Sequence, residues 1–425
     1  MNLDLSKIKK IFFIGIGGIG ISALAKMVLS KGMEVSGLND DESQKTLDPL
    51  RDLGVQIFFD PRTVLEEVPK DSPFKLPEAD LYVYSDAWIY RGPEIIEEAK
   101  KTGKPVLSYF EALGEFAKEY KVIAIAGTHG KTTTTAMLAE ILVDAGFDPT
   151  VIVGSFVKKF DSNFRKGNSE YLVVEADEYN RHFLNFHPFL IVVTNIEVDH
   201  LDYYKDIDDI KDAFKELSNQ SENVIKDYTK YLEKVPKLSV PGEHNRMNAA
   251  AALAVADFLG IKEEDAQKSI AQFSGTWRRL EKRGETKEGV IVYDDYAHHP
   301  TEIKASLEAL REIFPMGEKN ITVVFQPHLY SRTKALFNDF AKCFNGADNI
   351  YLLPIFFARE EKDESISSEK LASAICLAGD KAKAFPDFES AENFVKELNL
   401  GKNDVFVTMG AGKAYKVADN VFKFF

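Results

Sequence analysis

Lys121-Val-Ile-Ala-Ile-Ala126 runs without a break into Gly127-Thr-His-Gly-Lys-Thr-Thr133, and a Thr-rich, apolar-periodic segment follows. A continuous apolar run bounded by glycine reads as a strand buried on both faces, and the segment after it as a helix. Strand, glycine turn and helix in that order make a phosphate-binding loop, because turn and helix start aim backbone N–H groups at one point. In this reading Gly127, Thr128, His129 and Gly130 form the loop, Lys131 reaches the β and γ phosphates, and Thr132 offers its hydroxyl to Mg²⁺, with Thr133 beside it. The full Walker spacing would put a glycine at 125, where Ile125 stands, so the loop is a shortened variant. The plain alternative is a solvated lysine that starts a helix.

The strand-and-helix alternation continues on both sides of this loop, which predicts an α/β protein with parallel sheets covered by helices. Upstream, strands are expected at 10–14, 34–38, 80–84 and 105–107, with a helix over 21–30 and a Pro-rich stretch at 61–77. Downstream, strands at 171–174 and 190–194 and an Ala-rich helix over 248–259 complete the central block. Strands at 290–293, 321–325, 349–353 and 404–408 make a third. The natural cuts give three domains, 1–107, 108–275 and 276–425.

In the first block, Gly15-Ile-Gly-Gly-Ile-Gly20 lies between strand and helix, so its N–H groups can receive a diphosphate, while Asp40 after the next strand can bond a ribose hydroxyl. The competing reading is a glycine turn needed only for close packing. Lys7, Lys9 and Lys10 before an uncharged stretch also imitate a signal peptide, but Gly15, Gly17, Gly18 and Gly20 interrupt the apolar helix that a signal needs.

In the central block, Glu175-Ala-Asp-Glu178 and Asp199-His200 follow strands, and strand ends converge on the ligand crevice in open α/β sheets. Glu175 and His200 can complete the magnesium site that Thr132 begins, or His200 can make only a hydrogen bond; Asp177 and Glu178 can simply be solvated. His244-Asn-Arg-Met-Asn248 precedes the Ala-rich helix, where its amides can cap the helix or read a purine. Arg278-Arg279 can hold transferring phosphoryl charge or form a basic turn with Arg283. Asp295-Tyr-Ala-His-His-Pro300, Gln326-Pro-His-Leu-Tyr-Ser-Arg332 and Met409-Gly-Ala-Gly412 sit at strand ends of the third block, with Pro300 suited to a first helical position. Six of the eight histidines fall in these motifs, more than helix-capping loops require.

Composition sets the outer limits. With 425 residues, 45% hydrophobic and 28% charged, the chain is an ordinary globular protein. Its 53 Lys and Arg against 67 Asp and Glu give a net charge of −14, which argues against a nucleic-acid or anionic-membrane surface. Cys343 and Cys376 are too few for a disulfide framework and too far apart for a zinc knuckle, as a reducing cytoplasm would favour.

Taken in order, Gly15 to Ser22, Gly127 to Thr133, Glu175 to Glu178, Asp199-His200, His244-Asn245, Arg278-Arg279 and Asp295 to Glu302 resemble the Mur ligases over essentially the whole chain. The resemblance implies Rossmann-like first and last domains around a central P-loop ATPase domain. It implies ATP-dependent joining of L-alanine to the lactyl carboxylate of UDP-N-acetylmuramate in the cytoplasm, with Mg²⁺ or Mn²⁺ and without an obligatory protein partner. By the same resemblance the UDP-sugar side comprises Gly15, Gly17, Gly18, Ile19, Gly20, Asp40 and Ser85, and the ATP side Gly127 to Thr133, His244, Asn245, Asn248, Arg279 and Asp295. Thr132, Glu175 and His200 hold metal, His298, His328 and Arg332 face the amino acid, and Lys131, His200, Arg279 and His298 are the catalytic set. A recycling ligase for a released tripeptide, a non-catalytic nucleotide scaffold and a nicotinamide dehydrogenase are the rival readings.

Three departures carry expectations of their own. Only 43 residues separate His200 from His244, about half of what the resemblance leads one to expect, so part of the central domain is read as trimmed and the sequence leaves the adenine wall open. Leu329 stands where many relatives carry a second arginine, which places more of the carboxylate grip on Arg332. No carbamylated lysine can be assigned, with Lys211 and Lys215 equally readable as surface residues.

Overall fold

In the computed structural model, which describes residues 3–59, 76–357 and 360–424, three separate sheets follow one another along the chain. Most of the Pro-rich stretch lies outside the described residues. The first sheet contains β1 (Lys10–Ile14), β2 (Glu34–Asn39), β3 (Gln56–Phe59), β4 (Leu81–Tyr84) and β5 (Val106–Ser108), all parallel in the order β3-β2-β1-β4-β5. Strand order reverses between β1 and β4, so the glycine turn after β1 and Ser85 after β4 flank a switch-point crevice. The uncharged N-terminal stretch is therefore a core strand, a turn and the helix Ile19–Ser30, whose residues from Ile21 to Val28 are buried.

The central sheet contains β6 (Lys121–Ala126), β7 (Thr150–Val157), β8 (Ser162–Arg165), β9 (Tyr171–Ala176), β10 (Leu190–Val193) and β11 (Asn223–Ile225), in the order β11-β10-β6-β9-β7-β8. The phosphate loop leaves β6, which lies between β9 and β10. Glu175 near the end of β9 and the segment 194–200 after β10 consequently arrive beside it. The third sheet contains β12 (Glu281–Glu285), β13 (Ile291–Asp295), β14 (Asn320–Phe325), β15 (Asn349–Leu352), β16 (Ala382–Ala384) and β17 (Asp404–Met409), in the order β12-β13-β17-β14-β15-β16.

Two strands depart from the parallel expectation. β8 pairs antiparallel with β7 and β12 antiparallel with β13, each as a short edge strand. The charged sequence of β12, Glu-Lys-Arg-Gly-Glu, conceals it from a hydrophobic-run reading and suits an exposed edge.

The first and central domains share one apolar cluster, in which Leu24, Val28, Phe116, Phe183 and Phe214 take part. Polar contacts fix the same junction: Lys26 Nζ donates to Asn163 Oδ1 at 2.8 Å, and Asn163 Nδ2 to the Ile19 carbonyl at 2.6 Å. The Ala-rich helix spans Glu243–Phe258, so the His244 to Asn248 motif forms its first turns instead of preceding it. Its N-cap is Gly242 without a side-chain cap, which overturns the capping role for Asn245 and Asn248.

Candidate active site

Gly130 is the N-cap of the helix Lys131–Asp144 at φ 82°, a left-handed conformation that favours glycine. The helix's ladder starts with Thr134 N–H donating to the Gly130 carbonyl, so the N–H groups of Lys131, Thr132 and Thr133 precede the ladder and face an incoming anion. Asn195 holds the loop's shape, accepting from Thr128 N–H through its carbonyl and from His129 N–H through its side chain.

Lys131 Nζ donates to Glu178 at 2.7 and 3.0 Å and to the Gly127 carbonyl at 2.5 Å. Glu178 is 3% exposed, so the solvated reading of this carboxylate does not hold. Thr132 Oγ1 donates to Glu175 Oε2 at 3.0 Å and accepts from Arg279 at 3.1 Å, which joins the loop to the start of the third domain. Arg278 plays a different part. It is buried, paired with Asp294 at 2.8 Å, and donates to the Gly410 and Gly412 carbonyls, so both Arg278 and the Met409 to Gly412 turn are packing elements here.

Two cavities meet at this loop and share Gly130, Arg279 and Glu302. The smaller, about 220 Å³, is lined by His129, Thr133, His244, Asn245, Asn248 and Asp295 together with the apolar side chains of Met247, Leu280, Ala297 and Ala305. Tyr228, from the shortened span after His200, completes its wall and donates its hydroxyl to the Thr194 carbonyl. Burial lowers the pKa of His244 and raises that of Asp295 to about 6, against a Ser306 hydrogen bond of 2.5 Å that favours the carboxylate.

The larger cavity, about 430 Å³, opens between all three domains. Gly18, Ile19, Gly20 and Ser85 reach it from the first, Lys131, Thr132, Glu175, Asp177, Glu178 and His200 from the central, and Arg279, Tyr296, His298 and Glu302 from the third. Gly15, Gly17 and Asp40 do not line it. The N–H groups of Gly15 and Ile16 donate to the Leu38 carbonyl, that of Gly17 to Asn39 Oδ1 at 3.0 Å, and that of Gly18 to the Gly15 carbonyl. Asp40 pairs with Arg91 at 2.7 Å. The expected diphosphate cradle is thus narrowed to the helix start at Ile19 and Gly20.

Burial pushes His298 down to about 4, so its ring is neutral near pH 7. Nδ1 lies 3.0 Å from the Tyr296 carbonyl; donating there, it leaves Nε2 as the basic nitrogen. His200 goes the other way: burial would lower its pKa, but Glu178 and Asp199 raise it. Its donor atom and those of Asp177 and Glu178 lie within 4.8 Å of one another, so these carboxylates, more than Glu175, are its neighbours.

The amino-acid side is corrected most. Arg332 is not an open fork: Nε and Nη2 donate to Asp199 at 2.9 and 3.2 Å, and Nη1 lies 3.2 Å from His328 Nδ1. Neither Arg332 nor His328 lines the larger cavity, and His328 stacks on Phe356. The buried Arg332–Asp199 pair joins the third domain to the central one, and it holds the Asp199 carboxyl far below its usual range although burial opposes this. Lys211 and Lys215 are exposed on the helix Ile207–Asn219 and line neither cavity.

Sequence reading missed His129's partners. Its Nδ1 lies 3.0 Å from Glu302 and Nε2 3.5 Å from Glu197, and these carboxylates outweigh burial to lift its pKa to about 9. Glu302 also caps the helix Pro300–Ile313, so one carboxylate ties the phosphate loop to the segment carrying His298. Tyr228 and His182 were missed as well, since lone aromatic and histidine residues outside a motif carry no signal by spacing.

A three-sheet α/β protein in which a phosphate loop opens into a chamber shared with a second glycine turn is the class that fold and site define. Sequence profiles match along its length: "Mur ligase family, catalytic domain" over residues 10–121, "Mur ligase middle domain" over 125–227 and "Mur ligase, glutamate ligase domain" over 278–412. A UDP-N-acetylmuramate--L-alanine ligase from Caldanaerobacter subterraneus subsp. tengcongensis is 38% identical, covering 99% of this chain and 98% of that one. Its counterpart from Clostridium kluyveri is also 38% identical, with 99% of each covered. Among solved structures, UDP-N-acetylmuramate-alanine ligase from Thermotoga maritima superposes with a TM-score of 0.78 at 29% identity, covering 97% of this chain and 98% of the other. A murein peptide ligase from Psychrobacter arcticus shares the fold at a TM-score of 0.67 and 21% identity, with 97% and 98% covered. The chain belongs to the Mur ligase family.

Proposed function

We propose that this protein is an ATP-dependent amide-forming ligase that joins L-alanine to the lactyl carboxylate of UDP-N-acetylmuramate in peptidoglycan precursor synthesis. The observation that carries this reading is the single chamber holding Lys131 and Thr132, the first domain's Ile19, Gly20 and Ser85, and the neutral His298. The division 1–107 for the sugar nucleotide, 108–275 for ATP and 276–425 for the amino acid follows the same assignment. No described helix is long and apolar enough to cross a membrane. We assign the enzyme to the cytoplasm, where its two nucleotide substrates are made.

A carboxylate is a poor electrophile toward an amine, and phosphorylation supplies the leaving group. ATP places its base in the smaller cavity and its phosphates past Gly130 and Arg279. Lys131 exchanges Glu178 for the γ-phosphate, and Arg279 beside Thr132 balances charge that develops there. The lactyl carboxylate attacks the γ-phosphorus, ADP leaves, and an acyl phosphate results. The amine of L-alanine then adds to the carbonyl carbon, and the tetrahedral intermediate expels phosphate. The neutral His298 Nε2, its neighbour Nδ1 committed to Tyr296, accepts a hydrogen bond from the ammonium and orients it; the amine attacks after losing one proton to solvent and sheds a second to the departing phosphate as the amide forms. The Thr132 hydroxyl, Glu175, and the Asp177, Glu178 and His200 group offer the oxygen-rich donor set that suits Mg²⁺ or Mn²⁺. Such an ion, when bound, neutralises phosphate charge.

Phosphate release should require both UDP-N-acetylmuramate and an amine acceptor. Without L-alanine, hydroxylamine should trap the acyl phosphate as a hydroxamate; no trapping under conditions of rapid turnover would favour a concerted route. In competition, glycine and L-serine should react slowly, because one methyl group in an apolar pocket discriminates by only about 1–3 kcal/mol. A preference for L-alanyl-γ-D-glutamyl-diaminopimelate would replace this reading with the recycling ligase.

A further inference from the structure

Tyr109 opens the helix Tyr109–Ala117, which leaves β5 of the first sheet. Ser108 closes a capping box with Glu111, so the first turn of that helix is fixed from its start. The phenol ring packs edge-on against Phe110, with centroids 4.6 Å apart, and Phe110 in turn stacks on His182 at 3.9 Å. Tyr109 lines the larger cavity beside Gly18, Ile19, Gly20 and Ser85. Among the described residues none hydrogen-bonds to its hydroxyl.

The place of that hydroxyl is set by Gly20. A Cβ on Gly20 would stand 2.8 Å from Tyr109 Cζ and 2.9 Å from Oη, closer than such atoms approach, so the missing side chain lets the polar end of the phenol rest against the first turn of the helix Ile19–Ser30. The ladder of this helix starts with Ser22 N–H donating to the Gly18 carbonyl, which leaves the N–H groups of Ile19, Gly20 and Ile21 ahead of it. The Tyr109 O–H is thus one more donor at a helix start that already favours an anion.

The rest of this wall gives the donor its weight. The lining from Gly18 to Ile21, with Ser85, Asp86, Tyr109 and Phe110, carries no lysine or arginine. A diphosphate seated on this side is therefore held by neutral donors: backbone N–H groups and the hydroxyls of Ser85 and Tyr109. A phenol is protonated at neutral pH, and hydrogen bonds to ionised acceptors are the strong ones.

We propose that Tyr109 binds the sugar nucleotide, its hydroxyl donating a hydrogen bond to the diphosphate at the start of the helix Ile19–Ser30. This rests on the sugar-nucleotide reading of the chamber and adds to it a residue that no glycine motif marks.

Tyr109→Phe in the full-length enzyme tests it, because the change removes the hydroxyl and keeps the ring against Phe110. KM for UDP-N-acetylmuramate should rise about tenfold, as for the loss of one hydrogen bond to a charged group, with Tm unchanged and kcat and KM for ATP within about twofold. UDP as a competitive inhibitor should lose the same factor, whereas uridine, which lacks the diphosphate, should compete equally against both forms. An unchanged KM would overturn the proposal. So would equal losses for uridine and UDP, which would move the hydroxyl to the nucleoside, or a loss seen with UDP-N-acetylmuramate and absent with UDP, which would move it to the sugar or the lactate. A lowered Tm with a matching rise in KM for ATP would reduce Tyr109 to packing and overturn it too. Wild-type enzyme that ignores UDP-N-acetylmuramate would instead overturn the functional reading, and with it this inference.

Discussion

Two glycine turns lie at the ends of two strands in this molecule, and they use their backbone in opposite ways. In the first, Gly15, Ile16, Gly17 and Gly18 turn their N–H groups inward, onto the Leu38 and Gly15 carbonyls and the Asn39 side chain. A Cβ on Gly15 would lie 2.3 Å from Trp88 Nε1, so that glycine serves close packing. In the second, Asn195 holds Thr128 and His129, and the helix start at Lys131 and Thr132 together with the Lys131 ammonium faces the chamber. The lesson is that glycine spacing reports that a backbone must turn tightly, whereas the partners of the N–H groups decide whether an anion can be received.

The largest expected effect breaks the second turn while sparing the first. Lys131→Ala should lower turnover by about 10²–10³-fold or more, as loss of a preorganised charge at the transferring phosphoryl group does. Calorimetry should show UDP-N-acetylmuramate still binding; equal loss of that affinity would mean that the two turns are not independent sites.

Next in size is the tie that holds the third domain against the central one. Arg332→Ala leaves Asp199 buried without its partner, so a loss of about 3–5 kcal/mol in denaturant-monitored stability is expected. KM for L-alanine measured alongside separates two roles. A large rise with unchanged stability would restore the carboxylate-gripping role that the ion pair argues against.

The first turn can be tested by removing what closes it. Asn39→Ala strands the buried Gly17 N–H and should cost about 1–3 kcal/mol of stability, with ATP affinity unchanged. A variant that instead bound UDP-N-acetylmuramate more tightly would show that the Gly17 N–H is available to a diphosphate after all.

The smallest effect concerns pH. His129 is lifted to about 9 in the folded protein against an unperturbed value of about 6.5. Its contribution is then complete below about pH 6.5 and disappears as pH rises through 9. His182 titrates in the same window, so His129→Gln should flatten the alkaline decline of Tm only in part. An unaltered decline would mean that the Glu302 and Glu197 contacts do not charge this ring.

Much of the fold was legible because apolar runs are a local signal: β1, β6, β10, β14 and β17 all coincide with such runs. β12 was not legible, since an edge strand of Glu, Lys and Arg has no buried face to announce it. β7 was also missed; Thr150–Val157 is apolar, but Gly154 divides it, and its place beside β9 comes from long-range pairing. Within the site, Lys131, Thr132, Glu175 and His298 could be selected because each follows a strand or opens a helix, and Arg279 because it stands beside a second arginine at the entry to the third block. Arg332 could be selected for its place after a strand, yet its use could not, because the residue that engages it is Asp199, from another domain.

The sequence by itself determined the main apolar strands and the helices that alternate with them, the place of the glycine-rich loop after β6 and the family, because these depend on residues that are neighbours along the chain. Only the tertiary structure decided which carboxylate each cation serves. Lys131 meets Glu178, Arg332 meets Asp199, His129 meets Glu302 and His182 meets Asp86, over separations from 47 to 173 residues in the three that are hydrogen-bonded. Charge pairing is set by distance and burial in the folded chain, and one-dimensional spacing encodes neither.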